Sequence, residues 1–435
     1  MLTTLLAAAL STPLSGAPAP SAPPAWEHFV LENGIQVSSL VVGDAENQSF
    51  FTLLPLGLLA DDAHRTQYAH LVEHMLIRST DPDSLLEDGL RLNGETTALT
   101  LRLESIGPAE SFREALERHA RWLAADRFDE QVLAREQQRM EQELDTTLAG
   151  GFTAKWADAA WNQIVRHGLD HAAVRLDPAS ATVSEVREYV QARVPVSAAV
   201  QFVSVGPVPA EQIRETLETT LGELAPREAA AGVSPFDGEP IEREATWDLE
   251  ARHYLEWYPL PDRGVADRAG SVLLSQLVNA ALMQDARLSS RGIQAHAAAD
   301  LITPEGRFLK LTAGFKDEAD LPLIREAYQA AIADPLATLH ASGDAAGSLT
   351  RLSEQLTALP DFQQLRKRLA GKTSSMFLEA QVALTLMNHR ITTGLPADGE
   401  LKQAHAALTP ETLAELARLT FRKIARSSLL LRPVE

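Results

Sequence analysis

The chain has 435 residues, enough for two or more domains with their own cores, and its 45% apolar and 23% charged residues are an ordinary globular balance. A formal net charge of −20 argues against nucleic acid as a partner, because holding phosphates needs a basic surface; an acidic surface keeps a chain soluble and would favour basic substrates. There is no cysteine, so disulfides, thiolate metal sites and cysteine nucleophiles are excluded, and any bound metal must use histidine and carboxylate.

Residues 1–24 hold an apolar run, Leu2 to Leu10, followed by a Pro/Ala/Ser stretch. This reads as the hydrophobic region and tail of a secretory signal, too short to span a bilayer, although the first Lys or Arg is Arg65 and a charged start is missing. The expectation is a periplasmic or secreted protein, with a cytoplasmic location as the alternative. No other stretch is long and apolar enough for a membrane span.

Residues 30–37 read as strand, Asn33-Gly34 turn and second strand. Another apolar run, 50–56, ends at Gly57, and an apolar-rich helix over 68–77 follows. Alternation of Leu99, Leu101 and Leu103 predicts a strand over 97–106, and a stretch rich in Glu, Arg, Gln, Ala and Leu predicts a long helical block over about 110–147. Past Gly150-Gly151 comes more helix, then a loop around 167–178, a helix from Ser184 as N-cap, a buried strand over 198–205 and an amphipathic helix over 211–224. Residues 225–246, with three prolines and many charges, read as a linker. Beyond it the plan recurs: strand 253–258, helix 269–286, strand 308–315, helix 321–333, helix 410–425 and a closing strand 427–432. The fold class is therefore α+β, with two similar halves that suggest internal duplication.

The predicted helix over 68–77 carries His70-Leu71-Val72-Glu73-His74. Positions i, i+3 and i+4 share a helix face, so His70 and His74 can hold a metal from successive turns with Glu73 beside it. Neutral imidazole is a good zinc ligand, and a carboxylate near the open coordination position can take a proton from the attacking water. The order is the inverse of His-Glu-x-x-His. His167 and His171 have the same spacing, but Gly168 and Pro178 place them in a loop.

The chain resembles the pitrilysin/insulysin-type zinc metallopeptidases, whose relatives include the mitochondrial processing peptidase, and looks like a bacterial processing-peptidase-like member. The resemblance runs from about Trp26 to Glu435. It rests on residues 31–37, on Gly57, on the motif with its Met75-Leu76 tail, on Gly94-x-x-Thr97-Ala98-x-Thr100 and on the helix, strand and helix over 184–224. It implies that the two halves form a clamshell: a zinc-binding half over 25–224, the linker 225–246 and a substrate-clamping half over 247–435. In this family a later helix supplies a glutamate ligand seven residues after another glutamate. Glu136 and Glu143 match, with Glu143 as the third ligand and Glu136 as a carboxylate orienting a histidine; Glu141 and Asp145 are alternatives, because the gap from His74 is shorter than usual.

The resemblance further implies peptide added as a strand near Thr97, Ala98 and Leu101, and a substrate-contacting arginine at Arg287. Gln294 stands where the family has a tyrosine, and its amide can still donate to a developing oxyanion; Thr97 stands where the family has asparagine. The expected activity is a zinc-dependent endopeptidase acting on short or unfolded peptides, with Glu73 as general base and a homo- or heterodimer with a related subunit. The alternatives are a non-catalytic subunit or scaffold, and a zinc carrier.

Overall fold

The computed structural model describes residues 26–61, 65–79, 89–97, 100–149, 178–230, 240–247, 249–261, 263–303, 306–341, 343–357, 362–370, 378–382, 385, 403–423 and 426–434. The expected signal, Ala98, the helix after Gly151, the loop with His167 and His171, and residues 231–239 of the expected linker lie outside the described residues.

Strands β1 (Trp26–Val30) and β2 (Gln36–Val41) are the predicted hairpin. Gly34 turns it with φ +91°, where a Cβ would also sit 3.0 Å from the Ala198 nitrogen, so the position requires glycine. With β3 (Asn47–Leu54), β4 (Arg91–Thr96), β5 (Leu101–Pro108) and β6 (Gln201–Gly206) they form a sheet in the order β1-β2-β6-β3-β5-β4, antiparallel except for the parallel pair β2–β6. Period-two alternation sends Phe50, Leu54, Leu101, Leu103 and Phe202 to one core and Phe51, Leu53, Ile106, Val203 and Val205 to another, on the opposite face. Packed on the first face are helices α1 (Tyr68–Arg78), α2 (Phe112–Ala124), α3 (Glu130–Ala149), α4 (Val183–Arg193) and α5 (Ala210–Glu218).

Three local expectations change. The helical block over 110–147 is divided into two helices, because Ala125 takes a left-handed conformation (φ 54°) that ends α2, and the Asp129 carboxylate accepts from Gln131 N and Val132 N at 2.6 and 3.1 Å to start α3. The N-cap of α4 is Thr182 rather than Ser184; its hydroxyl accepts from Glu185 N while the Glu185 carboxylate accepts from Thr182 N at 2.8 Å. The strand expected from Thr97 begins at Leu101, after a tight connection in which Thr97 N donates to Thr100 O at 2.8 Å, and the sheet edge is β4.

The second sheet, in the order β7-β11-β8-β10-β9, comprises β7 (Glu242–Trp247), β8 (Arg252–Leu260), β9 (Gln294–Thr303), β10 (Gly306–Phe315) and β11 (Ser427–Pro433). Its helices are α6 (Val265–Gln284), α7 (Ala286–Ser290), α8 (Leu321–Ala333), α9 (Ala337–Ala341), α10 (Ala345–Thr357), α11 (Phe362–Leu369) and α12 (Pro410–Thr420). Within the expected linker, 225–246, Arg227 is bridged to Val196 of the first half and β7 begins at Glu242.

Apart from β1, the two sheets superpose in plan. The orders β2-β6-β3-β5-β4 and β7-β11-β8-β10-β9 match strand for strand, each with one parallel pair at the same place. Helix α1 stands between β3 and β4 as α6 stands between β8 and β9, and α4 and α12, which precede the parallel-paired strands, both start on a threonine capping box. The halves are also joined. Leu365 of α11, Ala380 and Val382 pack on the outer face of the first sheet, and Arg366 binds Asp44 at 2.6 Å and Glu379 at 2.9 Å. Among the described residues, no helix is long and apolar enough to cross a membrane.

Candidate metal centre

Helix α1 buries Leu71, Val72, Met75, Leu76 and Ile77 against the first core, which leaves His70 and His74 on the other side with side chains 20% and 10% exposed. Its start is fixed by Asp61, whose buried Oδ1 accepts from Ala69 N at 3.0 Å and from the Tyr189 hydroxyl of α4 at 2.6 Å. Helix α3 lies alongside. Seven residues make about two helical turns, so Glu136 and Glu143 both reach the histidines.

Glu143 Oε2 stands 3.6 Å from His70 Nε2 and 3.4 Å from His74 Nε2. The three side chains offer ligand atoms that all lie within 4.8 Å of one another, the arrangement expected of a metal ligand set. Glu136 is buried behind them: its Oε2 accepts from His74 Nδ1 at 3.1 Å, and its Oε1 accepts from Arg139 Nη1 at 3.0 Å. The alternative ligand Glu141 is exposed and joins no such cluster, and the side chain of Asp145 lies outside the described residues.

The donor set suits zinc. Two imidazole nitrogens and a carboxylate oxygen are the ligands of an open catalytic zinc site, and ligands about 2.05 Å from a tetrahedral centre are about 3.3 Å apart. The observed 3.4 and 3.6 Å fit that edge better than they fit a direct charge-assisted hydrogen bond of about 2.8 Å. The electrostatics agree with a site built for positive charge. His70 and His74 hold the Glu143 carboxyl well below the usual carboxylate range. Burial disfavours a charged His74, but Glu136, Glu143 and Glu73 outweigh it and lift its pKa to about 9. A proton there is the competitor a cation must displace.

Glu73 points into the same region from the buried side of α1. Burial raises its carboxyl above the usual carboxylate range, against the pull of His70, Thr96 and His74. Thr96 Oγ1, at the end of β4, donates to Glu73 Oε2 at 2.7 Å. The carboxylate fits only because residue 94 lacks a side chain: a Cβ on Gly94 would lie 2.5 Å from Glu73 Cγ and Oε1 and 2.7 Å from Cδ. Thr96 was missed by sequence reasoning, although its neighbour Thr97 was singled out.

The contacts seen for Thr97, Arg287 and Gln294 are local ones. Thr97 sits in the turn after β4, its hydroxyl 3.1 Å from Thr100 O, and Ala98 lies outside the described residues. Arg287, on α7, is engaged by Asp285 at 2.7 Å and Glu326 at 3.7 Å, within the second half. Gln294 opens β9, an edge strand, opposite Gly314.

No protein-family model and no curated protein matches the chain. Solved structures do. The first half of the periplasmic protease PqqL from Escherichia coli is 17% identical, with a TM-score of 0.67 over 95% of this chain and 93% of that one. The inactive domain of a peptidase M16 from Pseudomonas fluorescens is 13% identical, with the same TM-score of 0.67, over 94% and 98%. Pitrilysin is 15% identical with a TM-score of 0.64, over 94% of this chain but 45% of its own; full-length PqqL is likewise covered over 48%. At these identities the likeness is one of fold. That fold is common to proteases and to a domain described as inactive, so activity turns on the side chains at the site.

Proposed function

We propose that the chain is a zinc metallopeptidase of the pitrilysin/insulysin type that hydrolyses short or unfolded peptides. The observation that carries this reading is the convergence of His70, His74 and Glu143 within 4.8 Å, with Glu143 at tetrahedral-edge distance from both imidazoles, beside a buried carboxylate, Glu73. His70, His74 and Glu143 would hold zinc, which when bound polarises a scissile carbonyl and makes water a stronger acid. Glu73 would take the proton of the attacking water and pass it to the leaving amine. Its raised affinity for a proton suits that exchange. Glu136 keeps His74 in the tautomer with a free Nε2.

Peptide would add as a strand at the sheet edge formed by β4, whose Thr96 donates to Glu73. The expected stretch, Thr97 to Leu101, follows directly on that strand. The 225–246 region would separate a zinc-binding half, 25–224, from a clamping half, 247–435, that offers Arg287 and the Gln294 amide to bound substrate. Their contacts are with the second half, and the chain spans about half of pitrilysin and of PqqL. We therefore propose that a related subunit, a second copy or a different chain, completes the site in a dimer. The expected signal segment and the periplasmic PqqL favour export.

The rival is a non-catalytic subunit, favoured by the equal likeness to an inactive domain and by Gln294 in the tyrosine position. Glu73→Gln separates the readings. The variant should bind zinc as the parent does and lose hydrolysis of an unstructured peptide by about 10²–10⁴-fold. A parent protein that binds no zinc and cleaves nothing would leave only the scaffold reading; zinc binding with intact peptides, even with a co-purified partner, would make it a carrier.

A further inference from the structure

Gln67 immediately precedes α1 and has a left-handed backbone, φ 63° and ψ 12°. It is one of two non-glycine residues with positive φ among those described. Glycine takes this conformation freely and a branched or long side chain does not, so a glutamine here needs a reason. Helix capping does not supply one. The Gln67 side chain makes no cap hydrogen bond; Asp61 receives Ala69 N, and the Gln67 carbonyl already takes Leu71 N at 2.9 Å. The side chain is instead buried, and its Oε1 lies 3.2 Å from His70 Nδ1.

We propose that Gln67 is a positioning residue for His70, the neutral counterpart of Glu136 at His74. The inference rests on the zinc-site reading of His70, His74 and Glu143. An amide oxygen only accepts, so Nδ1 of His70 carries a hydrogen in this contact, and Nε2 is left as the nitrogen that faces Glu143 Oε2, 3.6 Å away, and would face a metal held between them. The left-handed turn is what folds the side chain of residue 67 back over a residue only three positions on. The two imidazoles are thereby oriented by unlike groups, a buried carboxylate for His74 and an uncharged amide for His70. The carboxylate brings a negative charge to its histidine; the amide fixes direction without one.

Gln67→Gly tests this because it relieves the backbone and deletes only the side chain. Zinc affinity, read by competition with a chromophoric chelator, should fall about 10–100-fold, the usual cost of removing a ligand's outer partner, while the melting temperature of the metal-free protein stays equal or rises. Gln67→Glu restores an acceptor and should bind zinc at least as tightly as the parent. In the metal-free protein, ¹⁵N chemical shifts of His70 should report a protonated Nδ1 in the parent and a loss of hydrogen from Nδ1 in Gln67→Gly. Unchanged zinc affinity in Gln67→Gly, or an unchanged tautomer, overturns the proposal. A parent that binds no zinc would instead defeat the functional reading, and the tautomer measurement would still decide the role of Gln67.

Discussion

Gly94→Ala adds one carbon to the edge strand, at a residue that supplies no ligand atom, and should nevertheless act on the chemistry. The new Cβ would meet Glu73 Cγ and Oε1 at 2.5 Å, whereas ordinary contact begins near 3.4 Å. The carboxylate must therefore retreat by about 1 Å, since β4 is held in register by Leu103 of β5 opposite Gly94. That shift strains or breaks the 2.7 Å bond from Thr96 Oγ1 and misplaces the proposed general base. A displacement of about 1 Å can cost about 10²-fold in rate, or about 2.7 kcal/mol of barrier. Overpacking should take only about 1–3 kcal/mol from stability. His70, His74 and Glu143 are untouched, so zinc affinity should stay within a few-fold of the parent. The assay is steady-state cleavage of a quenched fluorescent peptide, set beside a chelator titration and a urea melt. A variant with parental kcat/KM would refute the reasoning: either Glu73 takes no part in the reaction or its position is not set by Gly94.

Two further outcomes follow from the electrostatics. Glu136→Gln should weaken zinc binding about 10–100-fold above pH 9, and the gap should narrow at lower pH, because Glu136 also raises the proton affinity of His74 and so strengthens the competing proton; a gap independent of pH would contradict this. His119 is fully buried, with Nδ1 2.7 Å from Thr52 Oγ1 and Nε2 3.0 Å from Ser105 Oγ, and burial depresses its pKa to about 3. The unfolded chain takes up that proton near pH 6.5 and the folded one does not, so stability falls as pH drops from 6.5 towards 3. Against His119→Gln, the parent should lose about 2 kcal/mol of relative stability between pH 7.5 and pH 5 in urea melts. A constant difference would mean that burial leaves the proton affinity of the imidazole as it is in the unfolded chain.

The parts of this molecule legible in its sequence are those whose signal is local. The histidine pair and Glu73 declare themselves because i, i+3 and i+4 define a helix face without knowledge of the fold. Central strands such as β3 and β10 are legible as apolar runs because both of their faces are covered. The edges are not. Strand β4 reads Arg-Leu-Asn-Gly-Glu-Thr and β7 reads Glu-Arg-Glu-Ala-Thr-Trp, compositions that mimic loop or linker because an edge strand carries polar groups on its exposed side. Glu143 could be singled out only through the family spacing from Glu136, since the break between α2 and α3 depends on a left-handed Ala125 that no composition signals. Gln67 was invisible for the same reason: left-handed turns are sought at glycine and asparagine. Gly94 was noticed as part of a motif, but its purpose, room for a carboxylate, appears only when α1 and β4 are brought together.

The covering of the first sheet's outer face by α11 and residues 378–382 sets an order of events during synthesis. All six strands of that sheet have emerged once Gly206 is made, yet Leu365, Ala380 and Val382, which shield Phe51, Leu53, Val203 and Val205, come about 160 residues later. At roughly 5–20 residues per second, the ribosome leaves this greasy surface bare for about 10–30 s. The nascent chain therefore has a built-in interval in which it must be chaperoned or kept dilute, and severing the connection between the halves after folding would not free them from one another.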